Sequence, residues 1–507
     1  MNEVTAREFA PFLLHRRELN REPVARHGWL PPHDVPATTN AWVATTLRNS
    51  ERVKVINLRL ARAIAVTVAA LGWAPARADG LVIAGASPRA IGRAGVGTVS
   101  DDGGGALLLD PAVLARRATT RAQLGIAFAD DSVEWLHSPS SPVARDQSGS
   151  SAVPMIAVEG AWGEWILGAA ALTSAVSERA LRNPGNVDAG AYGTLFEYRY
   201  AGIAGGLRRD TVTIGAARRI GDSLAVGISI AGSRVSVNET RGVWAGFVDR
   251  KDVLGDPQHD VAVALDAEET LSPSAVAGLL VAPPDTHLEL AASIGWARTA
   301  HVAGTVEAHG IGTGARVQTS SPSVTMDLAE PVTVRTGVRW LADRWVAEAN
   351  ADLWIFPESA ETATWKITGL QIIDQSSFGV PLTQLSSRIS ERTHGALRSA
   401  VDLELIEGFL WATVGYAYTT AGTGRGRRSP TFGELSGHTL GLGLETSAGS
   451  FTFNLGWSRT WSTKRPEQTS VWRLDNPFSG GDGSVSSGTY DASSDLVGLS
   501  IDAELDP

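Results

Sequence analysis

Residues 332–354 read VTVRTGVRWLADRWVAEANADLW, and their spacing decides the architecture. Val332, Val334, Thr336, Val338 and Trp340 interleave with Thr333, Arg335, Gly337 and Arg339. After Ala342-Asp343 the pattern restarts, with Trp345, Ala347, Ala349, Ala351 and Leu353 set against Val346, Glu348, Asn350, Asp352 and Trp354. A period of two places alternate side chains on opposite faces of a strand, so this stretch predicts two antiparallel strands joined by a tight turn. One face is apolar or small and the other carries charge.

The same alternation recurs along the chain. Phe451, Phe453, Leu455 and Trp457 alternate with Thr452, Asn454, Gly456 and Ser458, and Leu440, Leu442 and Leu444 with Thr439, Gly441, Gly443 and Glu445. Near the C-terminus Val497, Leu499, Ile501, Ala503 and Leu505 alternate with Gly498, Ser500, Asp502 and Glu504, followed by Asp506-Pro507 where an aromatic usually ends such a strand. Short turns are predicted at Trp162-Gly163-Glu164, Gly221-Asp222, Pro283 to Thr286, Ala342-Asp343, Glu407-Gly408 and Ala448-Gly449. Between the resulting pairs lie long polar or irregular stretches at 131–152, 175–210, 236–273, 300–330, 356–395, 420–436 and 462–493. Residues 260–265 within the third of these read as the start of the long strand that ends near Val281. Tight turns alternating with long loops are the layout of a transmembrane antiparallel β-barrel, here of about fourteen strands, occupying residues 119–507.

Composition agrees. No stretch reaches the roughly 20 apolar residues of a spanning helix, whereas a barrel strand needs only about 9–11 residues with every second one free to be polar. Glycine (54) and tryptophan (16) are abundant, which suits crowded strands and interfacial girdles, and cysteine is absent, which excludes a disulfide frame or thiolate metal site. The net charge of -10 argues against nucleic acid as a partner.

Ahead of the barrel, residues 59–78 read RLARAIAVTVAALGWAPARA. Arg59 and Arg62 precede an apolar core from Ala63 to Trp73, and Ala76-Arg77-Ala78 is a small-x-small cleavage site, so residues 53–78 are expected to be a secretory signal with Asp79 as the first mature residue. Residues 1–52 are polar and without sustained period, as expected of a disordered extension or a mis-assigned start with translation beginning at Val53 or Val55.

Residues 85–117, GASPRAIGRAGVGTVSDDGGGALLLDPAVLARR, stand between signal and barrel. Gly92-Arg93-Ala94, then Asp101-Asp102, then Asp110-Pro111-Ala112 resemble the N-terminal hatch of the FadL/TodX family of long-chain fatty-acid and hydrocarbon transporters, with Asp110 where that family usually carries asparagine. Looser likeness runs through 213–226, 326–354, 414–418 and Ser429-Pro430. The resemblance implies a fourteen-stranded outer-membrane barrel whose lumen is stopped by residues 79–118. It further implies passive uptake of a hydrophobic small molecule, a long-chain fatty acid foremost, captured in apolar outer loops and released sideways through the wall. The expected protein is a monomer among outer-membrane lipids of a Gram-negative cell, with no cofactor and no metal.

Locally, Asp110 before Pro111 is a helix start, with the carboxylate as cap and Ala112 to Arg117 as one short turn. Gly103-Gly104-Gly105 would let backbone pass close to other elements. Two loops are unusually apolar: Tyr192, Leu195, Phe196, Tyr198 and Tyr200 in one, and Val243, Trp244, Phe247, Val248, Val253 and Leu254 in the other. These residues either pack the loops together or contact ligand, and Leu195, Phe196, Tyr198, Tyr200, Val243, Trp244 and Phe247 are the ligand candidates. Arg335 or Arg339 could meet a carboxylate head, though Glu348 and Asp352 offer them structural ion pairs instead.

Two other classes compete. A barrel with long loops could be an adhesion, surface-assembly or motility platform without transport. Gly221-Asp222-Ser223-Leu224 spells an esterase nucleophile motif, with Asp256 and His259 as its only suitably spaced partners. The glycine-rich runs 310–314 and 422–426 lack a surrounding βαβ unit for phosphate binding, and His301 and His309 lack a carboxylate cluster for a metal.

Overall fold

The wall is built from strands whose two faces meet different surroundings, and this periodicity carries through the computed structural model of the chain. The structure describes residues 87–505 apart from 102, 117–118, 140–142, 183–198, 247–256, 434–435, 463–464 and 479–483. The signal segment and the extension before it lie outside the described residues, as do Asp102, Tyr192, Leu195, Phe196, Tyr198, Phe247, Val248, Val253 and Leu254.

The strands are β1 (Arg121–Leu136), β2 (Ser151–Trp162), β3 (Trp165–Arg182), β4 (Ala204–Ile220), β5 (Leu224–Trp244) and β6 (Asp260–Val281). Next come β7, interrupted as β7a (Leu288–Ala297) and β7b (Ala300–Gly310), and β8, as β8a (Ala315–Leu328) and β8b (Val332–Leu341). The wall is completed by β9 (Trp345–Ile355), β10 (His394–Ile406), β11 (Leu410–Thr419), β12 (Gly437–Ala448), β13 (Phe451–Ser462) and β14 (Gly488–Glu504). Each pairs antiparallel with the next, and β14 returns to β1 from Arg121↔Glu504 to Leu136↔Thr489, closing a ring of 14 strands. The six short turns expected from sequence all fall between paired strands. Closure removes every free edge, which is what a strand structure needs in lipid.

Exposed Leu124, Ile156, Val212, Ile228, Leu442 and Leu499 mark the outward face. Such an apolar band gains about 1.5–3 kcal/mol per large side chain taken out of water, so lipid is its solvent. Exposed Trp162, Trp165, Phe409 and Phe451 gather at the tight-turn end, as an interfacial aromatic girdle does. Among the described residues no helix is long and apolar enough to cross a membrane.

The long stretches are less irregular than their composition suggested. Within 175–210, 236–273 and 300–330, β3 to β8 continue well beyond the lipid-facing band, and Thr364–Asp374 adds a further strand against β8a. The reason lies in a change of face. On β6, Leu279 points outward below, whereas Val261, Val263 and Leu265, at the same odd numbers, are buried above. Leu290 and Ile294 of β7a are likewise exposed, while Ala300, Val302 and Val306 of β7b are buried. A bulge lets β6 switch sides: Ser233 pairs with Ser272 but Val235 with Glu269, so Thr270 and Leu271 together oppose Arg234. Below this belt apolar residues face lipid. Above it they fill an inner core with Trp365, Ile372 and Leu385 while the outer face meets water.

Candidate functional site

Residues 87–116 lie inside the ring, because they touch lumen-facing groups on strands all round it. Helix α1 (Pro88–Gly92), capped by the Ser87 hydroxyl accepting from the Ala90 N–H at 3.1 Å, lies against β12, β13 and β14. Gly92 is forced by close approach: a Cβ there would stand 2.7 Å from the Gly443 Cα. Arg93, next along, is buried and reaches Glu348 of β9 at 2.9 Å and Asp402 of β10 at 3.6 Å. Glu348 also accepts the Val99 N–H at 3.0 Å. Ala94 and Gly95 turn the chain with positive φ (53° and 82°). Asp101 accepts the Ser87 hydroxyl at 3.1 Å, tying the two ends of this loop.

The second half crosses the lumen. Gly104 donates its N–H to the Gln123 side chain at 3.1 Å, and a Cβ at Gly103 would collide with that same amide, so the glycine run permits the close passage expected of it. Helix α2 (Ala106–Leu109) leads to Asp110, whose Oδ1 accepts the Ala112 N–H at 3.0 Å and starts a 3₁₀ helix, Pro111–Arg116. Arg116 closes the segment by pairing with Glu289 at 2.6 Å.

Asp110 sits against Gly278 of β6, where a Cβ would stand 1.9 Å from Oδ1. Its Oδ2 is buried with no hydrogen-bond partner among the described residues. Burial raises the carboxyl to about 8, against the lowering pull of the Ala112 N–H and Arg335. A carboxyl that holds its proton more tightly when docked than in water takes up a proton on docking. Docking of this segment is therefore strongest below the ordinary carboxylate range, near pH 4, and weakens as pH rises toward about 8. Asp110→Asn keeps the cap and removes the charge, so protease access to residues 87–116 should rise with pH in the native chain and stay flat in D110N.

Above the segment lies a lumenal cavity of about 230 Å³. Leu108 and Leu109 form its floor, Leu207, Leu328, Trp354 and Phe356 its apolar sides, and Arg209, Arg335, His394 and Arg398 its basic groups, with Arg209 paired to Glu330. Arg398 is engaged by Asp352 at 2.8 Å. Arg339 pairs with Glu289 at 3.2 Å and does not line the cavity. Arg335 contacts the Leu108 carbonyl at 3.4 Å and Thr333 Oγ1 at 3.2 Å, and among the described residues no carboxylate lies within ion-pair distance of it. Of the two arginines expected for a ligand head, only Arg335 is placed for one. Glu348 and Asp352 do form structural pairs, but with Arg93 and Arg398.

Of the apolar loop candidates, Tyr200, Val243 and Trp244 are described, and none lines this cavity. They are buried in the closure of the barrel mouth. Tyr200 donates to Asp260 at 2.6 Å and Trp244 packs with Tyr200 and Leu474. Around them Arg241 bridges Glu239 (2.9 Å) and Asp475 (3.3 Å), while Trp365 donates to Glu239 at 2.8 Å. The packing role open to these residues is the one the described contacts display. Trp354, Phe356 and His394 were missed as cavity residues, since one aromatic at a strand end looks like any other girdle position.

Ser223 lies in the β4–β5 turn, whereas His259 precedes β6 at the opposite end. Leu224 pairs with Val281 and Trp244 with Asp260. The strand length between them is about 65 Å at roughly 3.3 Å per residue, so the esterase motif cannot assemble.

A closed barrel with a lipid-facing band and an internal N-terminal hatch is an outer-membrane-type barrel of the plugged class. Its fold is the FadL type, found in outer membranes of Gram-negative bacteria. A FadL homologue from Pseudomonas aeruginosa superposes with a TM-score of 0.64 at 14% identity, covering 84% of this chain and 99% of that one. The toluene transporter TodX of P. putida gives 0.59 at 14% identity (83% and 99%), and TbuX, the toluene transporter of Ralstonia pickettii, 0.57 at 12% (83% and 99%). No family model and no curated protein matches the chain. At such identities the likeness is one of fold.

Proposed function

We propose that this chain moves hydrophobic small molecules passively across the outer membrane, and that long-chain fatty acids are the ligands it suits best. The observation that carries this reading is the lumenal cavity above the hatch, with apolar sides and, among them, the Arg335 guanidinium, which has no carboxylate at ion-pair distance among the described residues. A hydrocarbon chain gains about 0.8 kcal/mol per CH₂ buried, enough for capture without polar recognition. Arg335 adds a charged donor suited to a carboxylate, and a charge-assisted hydrogen bond contributes about 1.5–3 kcal/mol. The fold shared with toluene transporters and a FadL homologue supports hydrophobic cargo in general. Release is proposed to run sideways through the wall, since the hatch blocks the direct route.

Arg335→Gln should weaken oleate binding to the purified protein about tenfold or more, the equivalent of that hydrogen bond, and leave toluene binding unchanged. Displacement of a fluorescent fatty acid measures this. Equal loss for both ligands, or for neither, would remove the preference for fatty acids. A surface platform without transport would bind neither.

A further inference from the structure

The belt where strands change face contains a break in the wall. Strand β6 pairs with β7a from Ser274↔Ala297 to Val281↔Leu290, and with β7b from Glu268↔Ala303 to Val261↔Gly310, in one continuous register. Between these ladders residues 269–273 and 298–302 stand opposite one another without forming a ladder. On the other side of β7 the ladder to β8 also lapses between Gly295↔Thr333 and Ala300↔Leu328, where Pro331 has no N–H to give. Arg298 and Thr299 thus belong to no ladder on either side.

Side chains bridge the slit alongside one backbone hydrogen bond at its lower end. Arg298 pairs with Glu269, which also accepts the His301 N–H at 2.7 Å. The Arg298 N–H reaches the Pro273 carbonyl at 3.1 Å. The lumenal cavity meets the lower lip from inside at Ser274, Ala275 and Trp296, and a concavity on the outer wall of about 1280 Å³ meets the same three residues from outside, the two also sharing Thr211 of β4. Exposed Leu271 and Trp296 flank the outer side, above the lipid-facing Val212 and Ile230.

We infer that the lateral exit of this barrel is the β6–β7 slit and that the Glu269–Arg298 ion pair is its latch. This rests on the transport reading above and specifies its exit. A partly exposed ion pair is weakly held, whereas an intact ladder facing lipid cannot open without orphaning backbone groups. The slit is where the wall opens at least cost, at the level where a ligand would join the outer leaflet.

The chain has no cysteine, so E269C/R298C can be bridged by a short, reducible thiol–thiol reagent in lipid vesicles. Bridging should cut influx of a fluorescent fatty acid at least tenfold, reduction should restore it, and binding to the solubilised bridged protein should be unchanged. T439C/T460C serves as control: their hydroxyls lie 2.8 Å apart in an intact ladder, between β12 and β13, and bridging there should leave influx intact. E269Q alone, which loosens the latch without new thiols, should raise influx severalfold. Unchanged influx in bridged E269C/R298C, loss confined to the control pair, or loss of binding along with influx would each overturn the assignment. Wild-type influx no greater than that of empty vesicles would instead refute transport, and the exit with it.

Discussion

Arg93→Ala should release the hatch while leaving the wall closed. Arg93 is fully buried, and its guanidinium stands between Glu348 at 2.9 Å and Asp402 at 3.6 Å, on two different strands. Removing the cation leaves two buried carboxylates near each other on the adjacent strands β9 and β10, and breaking such a pair from one side costs about 3–5 kcal/mol. Arg89, which reaches Asp402 at 3.9 Å, is partly exposed and held by Glu445 at 2.9 Å. The wall has its own ladders on every side, so the loss falls on the hatch. Hydrogen exchange of residues 87–116 should accelerate by about two to four orders of magnitude, the equivalent of that energy, with the strands protected as before. A uniform loss of protection would mean that hatch and wall unfold together. Arg93→Lys should behave nearly as badly, because one ammonium cannot span both carboxylates as the guanidinium does.

Gly415→Val should expel the same segment by steric means. A Cβ at Gly415 would stand 2.2 Å from the Arg93 carbonyl carbon, an overlap with backbone that no rotamer change relieves. A Cβ at Gly456 would stand 2.1 Å from the Pro88 oxygen and one at Gly227 2.4 Å from the Pro111 carbonyl carbon, so the hatch is seated on glycines spread round the ring. Overpacking ordinarily costs about 1–3 kcal/mol, and here the strained element can leave. Protease should cut residues 87–116 of G415V from the periplasmic side, while heat-dependent mobility on electrophoresis, the mark of an intact barrel, persists. Cleavage no faster than in the native chain would show that the wall yields instead.

Much of this was legible in the sequence, and its limits have identifiable causes. The strand pair 332–354 declared itself because each side chain alternates with its neighbour, and the tight turns did so because nothing else fits two residues. The hatch was readable from Gly92-Arg93 and Asp110-Pro111, where close packing and a helix start each demand a particular residue. Strand continuation past the lipid was not readable. Apolar residues keep the same parity from Val261 to Leu279, and only the bulge at Thr270–Leu271 turns the upper half inward. Arg335 and Arg339 look equivalent on one strand. Glu289, fifty residues away in sequence, engages the second and leaves the first to the cavity. Tyr200 and Trp244 look like a ligand surface because a loop core and a binding groove use the same aromatics.

The most direct test is ionic conductance of the purified chain in a planar bilayer, with and without residues 87–116. A ring of 14 strands encloses a wide bore, so the intact protein should be electrically silent and the shortened one should conduct in discrete steps. Steady conductance from the intact chain, or silence after the deletion, would contradict a lumen stopped by its own N-terminal segment.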